Sequence, residues 1–306
     1  MKEFLDSGHV AGAALDVFAK EPATDNILFN HPNVICTPHL GASTEEAQVN
    51  VALQIADQMA DYLLTGAVTN ALNMPSISAE DAPKLKPYMR LASQLGSFAG
   101  QITDHAIREM KVTYEGSVAD LNFKPLTSII TASLLKPQLD TVNMVNALQI
   151  AQDRNITISE TSTGSSKDFR SLINVEVITE KRKRNVTGTL FTGKEPRIVN
   201  VEDVPIEAAI LEHMLYIRNN DKPGLIGQVG TILGDANCNI ADFRLGRKAD
   251  SGEAVALICL DSAPNDEIMS KLEKLDNIKQ IKVLHFDQVK ENGKKNNVQN
   301  LSAAAA

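Results

Sequence analysis

The sequence predicts an α/β and α+β architecture in three parts. Short, continuous apolar runs within the first 40 residues indicate two buried parallel strands, which precede a helix. Alternating runs on either side of a charged turn indicate a hairpin within a mixed α/β segment, and a strand–helix–strand–strand–helix–strand order follows residue 205. We expect domains at 1–75, 76–204 and 205–288, and a disordered tail at 289–306.

The overall composition is that of a globular protein. The chain has 306 residues, of which 43% are apolar and 22% charged, and this length suggests two or three domains. An excess of 38 acidic over 30 basic residues gives a net charge of −8. A protein that neutralises phosphates normally carries the opposite charge, so nucleic acid is not the expected partner.

The cysteines and the apolar runs indicate the compartment. The chain has three cysteines and no CxxC pair, which argues against a disulfide framework and a structural zinc site, so we expect no bound metal. No apolar run approaches the ~20 residues of a membrane span. The first residues also lack the basic-then-apolar pattern of a signal peptide. We therefore expect a cytoplasmic protein with no membrane partner.

The first segment is predicted to form two strands and a helix. The runs at 12–18 and 34–37 are short and are each followed by proline, which suits parallel strands buried on both faces. Apolar residues then recur at three- and four-residue spacing over 49–64, as on one face of a helix. Ser43, with a glutamate three residues later, is a capping-box start, and Gly66 is a suitable end.

The other two segments follow from the same periodicities. In the middle segment we expect helices at 89–102, 126–139 and 141–154, a strand at 107–114, and a hairpin of 173–179 with 186–191. In the third we expect strands at 215–219, 239–246, 254–260 and 278–286, helices at 225–236 and 266–275, and a hairpin turn at 250–252. This βαββαβ order is ferredoxin-like, with both helices on one face of the sheet.

Two residues at predicted strand ends are candidates for acid–base chemistry. His39 follows the second strand, and Glu21 lies just beyond the first. In open α/β sheets, ligands bind outside the carboxyl ends of the strands. A histidine held by a carboxylate keeps one tautomer and transfers protons near neutral pH. From composition alone, a loop histidine and a solvated glutamate are the more frequent alternative.

The surrounding motifs carry a family resemblance. Ala-Leu-Asp-Val-Phe at 14–18 with Glu-Pro at 21–22, and Asn-Val-Ile-Cys-Thr-Pro-His-Leu-Gly at 33–41, resemble the D-2-hydroxyacid dehydrogenase signature. Within that family, the continuation is similar to the long-type phosphoglycerate dehydrogenases. The resemblance implies a partial Rossmann-type NAD-binding domain, an intervening domain and an ACT domain.

The resemblance also implies residue roles. His39 would be the general acid/base acting on the substrate oxygen, and Glu21 the acid paired with it. Asp16 would lie beside the nicotinamide amide of NAD, and Gly41 would let the backbone approach the ring. The implied substrate is 3-phosphoglycerate, which is oxidised to 3-phosphohydroxypyruvate in L-serine biosynthesis.

The phosphate-binding fingerprint is missing from the sequence. No G-x-G-x-x-G occurs among the 306 residues, and the glycines at 224, 227 and 230 have a different spacing. This glycine turn and the helix after it normally bind the pyrophosphate. We therefore expect the chain on its own to lack the dehydrogenase activity that the resemblance implies.

In the middle segment, the resemblance implies a domain that contributes oligomer contacts and can take up an anion. Lys194 and Arg197, beside the turn at Gly193, are candidates to face a phosphate. Two solvated surface cations are the alternative that we favour for this pair.

In the third segment, the resemblance implies an amino-acid effector site. Asp221 and Asn239 match effector contacts of ACT domains, which commonly associate edge to edge, and Asn219 is a further effector candidate at a position that varies among relatives. The polar groups of the turn after the first strand are expected to face the start of the next strand. A carboxylate and amides suit the ammonium, hydroxyl and carboxylate of L-serine. Ordinary hydrogen bonds within turns are the alternative.

Two functions follow from these observations. The first is an NAD-dependent D-2-hydroxyacid dehydrogenase acting as a homo-oligomer, with a regulatory ACT domain. The alternative is a stand-alone amino-acid-binding regulatory module.

Overall fold

The computed structural model describes residues 1–166, 168–248 and 252–287. The chain divides into two compact units, residues 1–67 and the residues from Val68 onward. The predicted tail and most of the predicted turn at 250–252 lie outside the described residues. Among the helices that are described, none is long and apolar enough to cross a membrane.

The first unit contains two helices and a small parallel sheet. Its elements are α1 (Lys2–Asp6), β1 (Ala13–Leu15), β2 (Val34–Cys36) and α2 (Glu45–Thr65). Strands β1 and β2 pair in parallel, as predicted from their apolar runs. Gly66 ends α2 in a left-handed conformation, at φ 81°, which confirms the predicted end.

The predicted start of α2 is wrong by one residue. Thr44, in an extended conformation, is the N-cap, and its side-chain oxygen accepts a hydrogen bond from the Ala47 amide at 3.1 Å. Ser43 instead donates its backbone amide to Leu40 in the preceding turn. The cap therefore belongs to the residue whose backbone is extended, since only that geometry aims the side chain at the first free amides.

The first unit leaves much of its apolar surface in solvent. The structure describes every residue of α2, and none of them is buried. Ile35 of β2 is 70% exposed. Large exposed apolar side chains on α2 are Val49, Val51, Leu53, Ile55, Met59, Tyr62, Leu63 and Leu64. A two-stranded sheet is too small to cover both its own faces and a helix of 21 residues.

The second unit begins with helices packed on a six-stranded sheet. The helices are α3 (Ala82–Ile102), α4 (Lys124–Leu135) and α5 (Ala147–Asp153). The strands are β3 (Ile107–Gly116), β4 (Thr157–Thr163), β5 (Ser171–Thr179), β6 (Lys183–Phe191), β7 (Glu195–Val201) and β8 (Val204–Ala209). They are ordered β4-β3-β5-β6-β7-β8, with β3 and β4 parallel and the other neighbours antiparallel.

Several predictions for this part need correction. Strands β4, β7 and β8 were not predicted, and α4 and α5 are shorter than expected. Helix α3 begins seven residues early, at Ala82, with Pro83 in its first turn and Pro87 inside it. Proline is tolerated in a first turn because the amide it lacks would be unpaired there anyway. The hairpin of β5 and β6 is confirmed.

Helices α3 and α4 approach each other closely at two glycines. A Cβ atom on Gly96 would lie 2.4 Å from the Ile130 carbonyl oxygen, and one on Gly100 would lie 2.4 Å from that of Leu134. Both distances are far below van der Waals contact. Only glycine therefore permits this spacing of the two helices.

The chain ends in the predicted βαββαβ order. The elements are β9 (His213–Asn220), α6 (Leu225–Asp235), β10 (Ile240–Lys248), β11 (Glu253–Leu260), α7 (Asp266–Glu273) and β12 (Ile278–His285), with strand order β10-β11-β9-β12. Leu215 and Ile217 face a core shared with α6 and α7. Met214 and Tyr216 face the core of the six-stranded sheet. The central strands β9 and β11 are thus buried on both faces.

Candidate active site

The structure brings the two predicted acid–base residues together. Nδ1 of His39 lies 2.6 Å from Oε2 of Glu21. The other carboxylate oxygen, Oε1, accepts the Phe18 amide at 2.9 Å. Because Glu21 accepts at Nδ1, the neutral imidazole keeps its proton there and presents the lone pair of Nε2. The His39 side chain is 60% exposed, so the ring remains accessible to a ligand.

Asp16 positions the loop that carries His39. Its Oδ1 accepts the Thr37 hydroxyl at 2.6 Å and the Leu40 amide at 2.7 Å, and its Oδ2 accepts the Gly41 amide at 2.8 Å. The carbonyl oxygen of Asp16 accepts the His39 amide at 2.9 Å. Three of these four hydrogen bonds end on the carboxylate, which has roughly four acceptor sites. Asp16 therefore acts first as an anchor within the protein, a role that sequence analysis missed.

The loop after β2 has an unusual backbone conformation at His39 and little space beside Gly41. His39 adopts a left-handed conformation, at φ 56°. A Cβ atom on Gly41 would lie 3.2 Å from Oδ2 of Asp16, the atom that the Gly41 amide contacts. A side chain there would crowd the anchoring carboxylate. A residue larger than glycine at position 41 would require Asp16 to shift by a few tenths of an ångström.

A cavity of about 820 Å³ opens beside the pair within the first unit. His39 and Glu21 line it, together with Phe18, Phe29 and Cys36. The rings of Phe18 and Phe29 meet edge to face, with centroids 5.4 Å apart. Neither aromatic residue is predicted as a site residue from the sequence, although Phe18 ends the motif at 14–18. A cavity of this size is large enough to accommodate a small molecule.

The charges of the site follow from its hydrogen bonds. The Glu21 carboxylate raises the pKa of His39. The Phe18 amide and His39 together lower the pKa of Glu21. The Thr37 hydroxyl, followed by the Leu40 and Gly41 amides, lowers the pKa of Asp16. Two ionised carboxylates thus accompany an imidazole whose protonated form is favoured, which is the arrangement needed to accept and return a proton.

The three predicted effector residues do not converge within one chain. Asp221 follows the end of β9, whereas Asn239 precedes the start of β10. Asn220 is paired with Glu253, and Ile240 with Leu260, so the two ends lie seven residues apart along β11. This separation is roughly 23 Å. The expectation that the turn after β9 faces the start of β10 is wrong, because a helix crossover makes β9 and β10 run in the same direction.

Asp221 and Asn239 have polar partners in their own chain, whereas Asn219 is buried. Asp221 Oδ2 lies 3.4 Å from Nε of Arg247. The Asn239 amide donates to Oδ2 of Asp261 at 2.7 Å. Asn219 is 2% exposed, and its Oδ1 is buried without a hydrogen-bond partner among the described residues.

The two candidate phosphate-binding cations lie on β7 and in the turn before it. Arg197 belongs to β7, with its guanidinium 3.3 Å from Oε2 of Glu195 and 5.8 Å from the centroid of the Phe191 ring. Lys194 is exposed in the preceding turn. Since Arg197 is engaged by its neighbours, the interpretation as surface cations remains the favoured one.

Three family profiles match successive parts of the chain. Residues 1–41 match the NAD-binding domain of D-isomer specific 2-hydroxyacid dehydrogenases, residues 84–202 the D-3-phosphoglycerate dehydrogenase intervening domain, and residues 213–277 the ACT domain. These matches agree with the fold class predicted from the sequence.

The curated relatives that match the chain are also D-3-phosphoglycerate dehydrogenases. The D-3-phosphoglycerate dehydrogenase of Bacillus subtilis is 38% identical over 283 residues, covering 92% of this chain and 54% of the relative. The enzyme of the same name from Synechocystis is 38% identical over 277 residues, covering 90% and 50%. That of Methanocaldococcus jannaschii is 37% identical over 289 residues, covering 93% and 54%. The chain thus spans about half the length of the curated relatives it matches. It combines part of an NAD-binding domain with the intervening and ACT domains, and it is similar to about half of each of these D-3-phosphoglycerate dehydrogenases.

Proposed function

We propose that the first unit supplies the acid–base pair for NAD-dependent oxidation of 3-phospho-D-glycerate to 3-phosphohydroxypyruvate. The observation that carries the proposal is the 2.6 Å contact between His39 Nδ1 and Glu21 Oε2 beside an open cavity. The names of the relatives indicate the substrate. Because the chain spans about half of each relative, the complete reaction is inferred for the chain together with a nucleotide-binding segment.

The proposed step balances a hydride against a proton. The acceptor for the hydride that leaves C2 of the substrate, with its electron pair, would be supplied by the nicotinamide of NAD. The hydroxyl O–H bond breaks, its proton passes to Nε2 of His39, and the C2–O carbonyl forms. Glu21 stabilises the resulting imidazolium through Nδ1. In the reverse direction, His39 returns the same proton to the carbonyl oxygen.

Two features of Asp16 and Gly41 support a binding place for the nicotinamide end of NAD. Asp16 keeps about one free acceptor site, which suits the carboxamide of the nicotinamide. Gly41 leaves room beside it. The pyrophosphate has no G-x-G-x-x-G turn to bind in the printed sequence. We therefore expect weak NAD binding and no turnover by these 306 residues on their own.

The test joins the chain to a nucleotide-binding segment. The amino-terminal half of the Bacillus subtilis relative is fused ahead of the chain, and oxidation of NADH by phosphohydroxypyruvate is measured. Replacing His39 with Asn should lower turnover by roughly 10²–10⁴-fold, the usual contribution of a general acid/base. The matched control is His9→Asn, since His9 is exposed and its ring contacts the exposed ring of Phe4. Equal activity of the His39 and His9 variants would contradict the assignment. Turnover by the unfused chain would contradict the expected lack of competence.

For the ACT domain, we propose binding of L-serine between two copies in a homo-oligomer. Asn219 and Asp221 of one copy would face Asn239 of the other, since about 23 Å separates the two ends within one copy. The unpartnered Oδ1 of Asn219 supports this proposal, because a ligand donor would satisfy a buried acceptor.

Calorimetry and sedimentation together test the serine proposal. We expect heat on adding L-serine to a dimeric chain, and its loss in Asp221→Asn and Asn239→Ala. Lys222→Ala, next to Asp221, is the control. A dimeric chain with no heat at millimolar serine, or a monomer that binds serine, would refute the composite site. Serine binding with an inactive fusion protein would favour the alternative of a regulatory module.

A further inference from the structure

Two histidines and a glutamate meet at one end of the four-stranded sheet. His213 begins β9 and His285 ends β12, and the two residues are directly paired across the antiparallel strands. Their Nδ1 atoms lie 3.4 Å apart. Glu212 precedes His213 in the chain, and one ligand atom from each of the three residues lies within 4.8 Å of the others. We propose that His213, His285 and Glu212 form a binding site for a divalent transition-metal ion of the Zn²⁺ type.

The spacing of the two rings suits a shared ion. Tetrahedral Zn²⁺ with Zn–N bonds of about 2.0–2.1 Å holds two ligand nitrogens roughly 3.3–3.4 Å apart. A direct hydrogen bond between the rings explains the contact less well, since 3.4 Å exceeds the usual 2.7–3.2 Å range for N–H donors. Strand alternation places both rings on the side of Leu215 and Ile217, so they share one face of the sheet.

The backbone that carries the ligands is held from two sides. Gln101 of α3 accepts the His285 amide at 2.8 Å and donates to its carbonyl oxygen at 2.9 Å. The Phe286 amide donates to the Glu212 carbonyl oxygen at 2.9 Å. Such support fixes ligand positions before an ion arrives, which lowers the cost of binding.

Glu212 completes the donor set. Its Oε1 lies 3.7 Å from Nε2 of His213, and its side chain is 51% exposed, so rotation can bring an oxygen to the ion. Two imidazoles and a carboxylate suit Zn²⁺, whereas Mg²⁺ and Ca²⁺ prefer oxygen ligands alone. Because Glu212 and His285 are exposed, water can fill the fourth position.

The test titrates the full chain after removal of metal with a chelator. We expect one Zn²⁺ per chain with a dissociation constant in the micromolar range or below, and no response to Mg²⁺. Co²⁺ should give the intense visible absorption of a tetrahedral site. His213→Asn and His285→Asn should each weaken Zn²⁺ binding at least 100-fold, and Glu212→Gln should weaken it 10- to 100-fold.

Two control variants separate this site from other metal-binding groups. His105→Asn removes a histidine outside the cluster, and Cys36→Ser removes the partly accessible thiol. Both should bind Zn²⁺ as the parent chain does. Circular dichroism checks the fold of each variant, and the exposed His285 carries the test if the His213 variant unfolds. Unchanged binding in folded His285→Asn, or an octahedral Co²⁺ spectrum, would overturn the proposal.

Discussion

His39 and Glu21 lie 18 residues apart in the sequence, yet their side chains are joined by a 2.6 Å contact between Nδ1 and Oε2. The contact depends on the parallel pairing of β1 with β2, which places the ends of both strands at one edge of the sheet. Asp16, at the end of β1, then holds the loop after β2 through three hydrogen bonds. The candidate site is therefore formed by the ends of β1 and β2 and the loops that follow them.

The first prediction concerns the titration of His39. Because Glu21 favours the imidazolium, the pKa of His39 should exceed the ordinary value of 6.5. Where Glu21 is ionised, the contact stabilises the fold fully below pH ~6.5, and this stabilisation is lost as the pH rises through the folded-state pKa of His39. NMR of the imidazole signals across the pH range measures the midpoint. Glu21→Gln should shift it downward, and an unchanged midpoint would show that the carboxylate does not act on the ring.

The second prediction concerns Asp16 as the anchor of the loop. Asp16→Asn replaces an acceptor of three hydrogen bonds by a side chain with one acceptor oxygen, so the amides of Leu40 and Gly41 should exchange faster with solvent. The lowered pKa of Asp16 means that the wild-type protection is present above its unfolded-state pKa and is lost as the pH falls through the folded-state pKa. Hydrogen exchange at these two amides is the measurement. Asp25→Asn, in the same unit, is the control, and equal exchange in both variants would contradict the anchoring role.

The third prediction concerns the approach of α3 to α4. Gly100→Ala places a Cβ 2.4 Å from the Leu134 carbonyl oxygen, so the helices must separate. The free energy of unfolding should fall by about 1–3 kcal/mol or more, the usual cost of overpacking. Gly227→Ala in α6 is the matched control, because its Cβ meets no described atom within 4 Å. That change should stabilise the helix by roughly 0.5–1 kcal/mol. Urea denaturation compares the two, and equal effects would show that the interhelical contact tolerates a methyl group.

The fourth prediction tests the start of α2. Thr44→Ala removes the side-chain acceptor for the Ala47 amide, which should cost about 1 kcal/mol of stability in the first unit. Ser43→Ala should have little effect, since the structure uses only the backbone of Ser43 in the turn. Helical content by circular dichroism during urea denaturation measures both. A larger loss from the Ser43 variant would restore the capping box predicted from the sequence.

Local chemistry determined much of the architecture. The apolar runs of β1 and β2, and the alternation of strand and helix periods after residue 205, act over a few residues, so the sequence shows them directly. The same holds for the position of His39 after a strand and for Gly66 as a helix end. Strand β4 was missed because five of its seven residues, in Thr-Ile-Ser-Glu-Thr-Ser-Thr, are hydroxyl-bearing and it carries little apolar signal at the edge of the sheet.

Tertiary structure alone decided which distant groups meet. The crossover through α6 makes β9 and β10 parallel, and this separates Asp221 from Asn239 despite their closeness in sequence. Antiparallel register brings together His213 and His285, which are 72 residues apart. Cysteine spacing predicts no metal site, and the proposed His213–His285–Glu212 site depends on strand register, which no local spacing displays. The physical reason is that periodicity fixes the face on which a side chain lies, whereas pairing and crossover direction fix its neighbour.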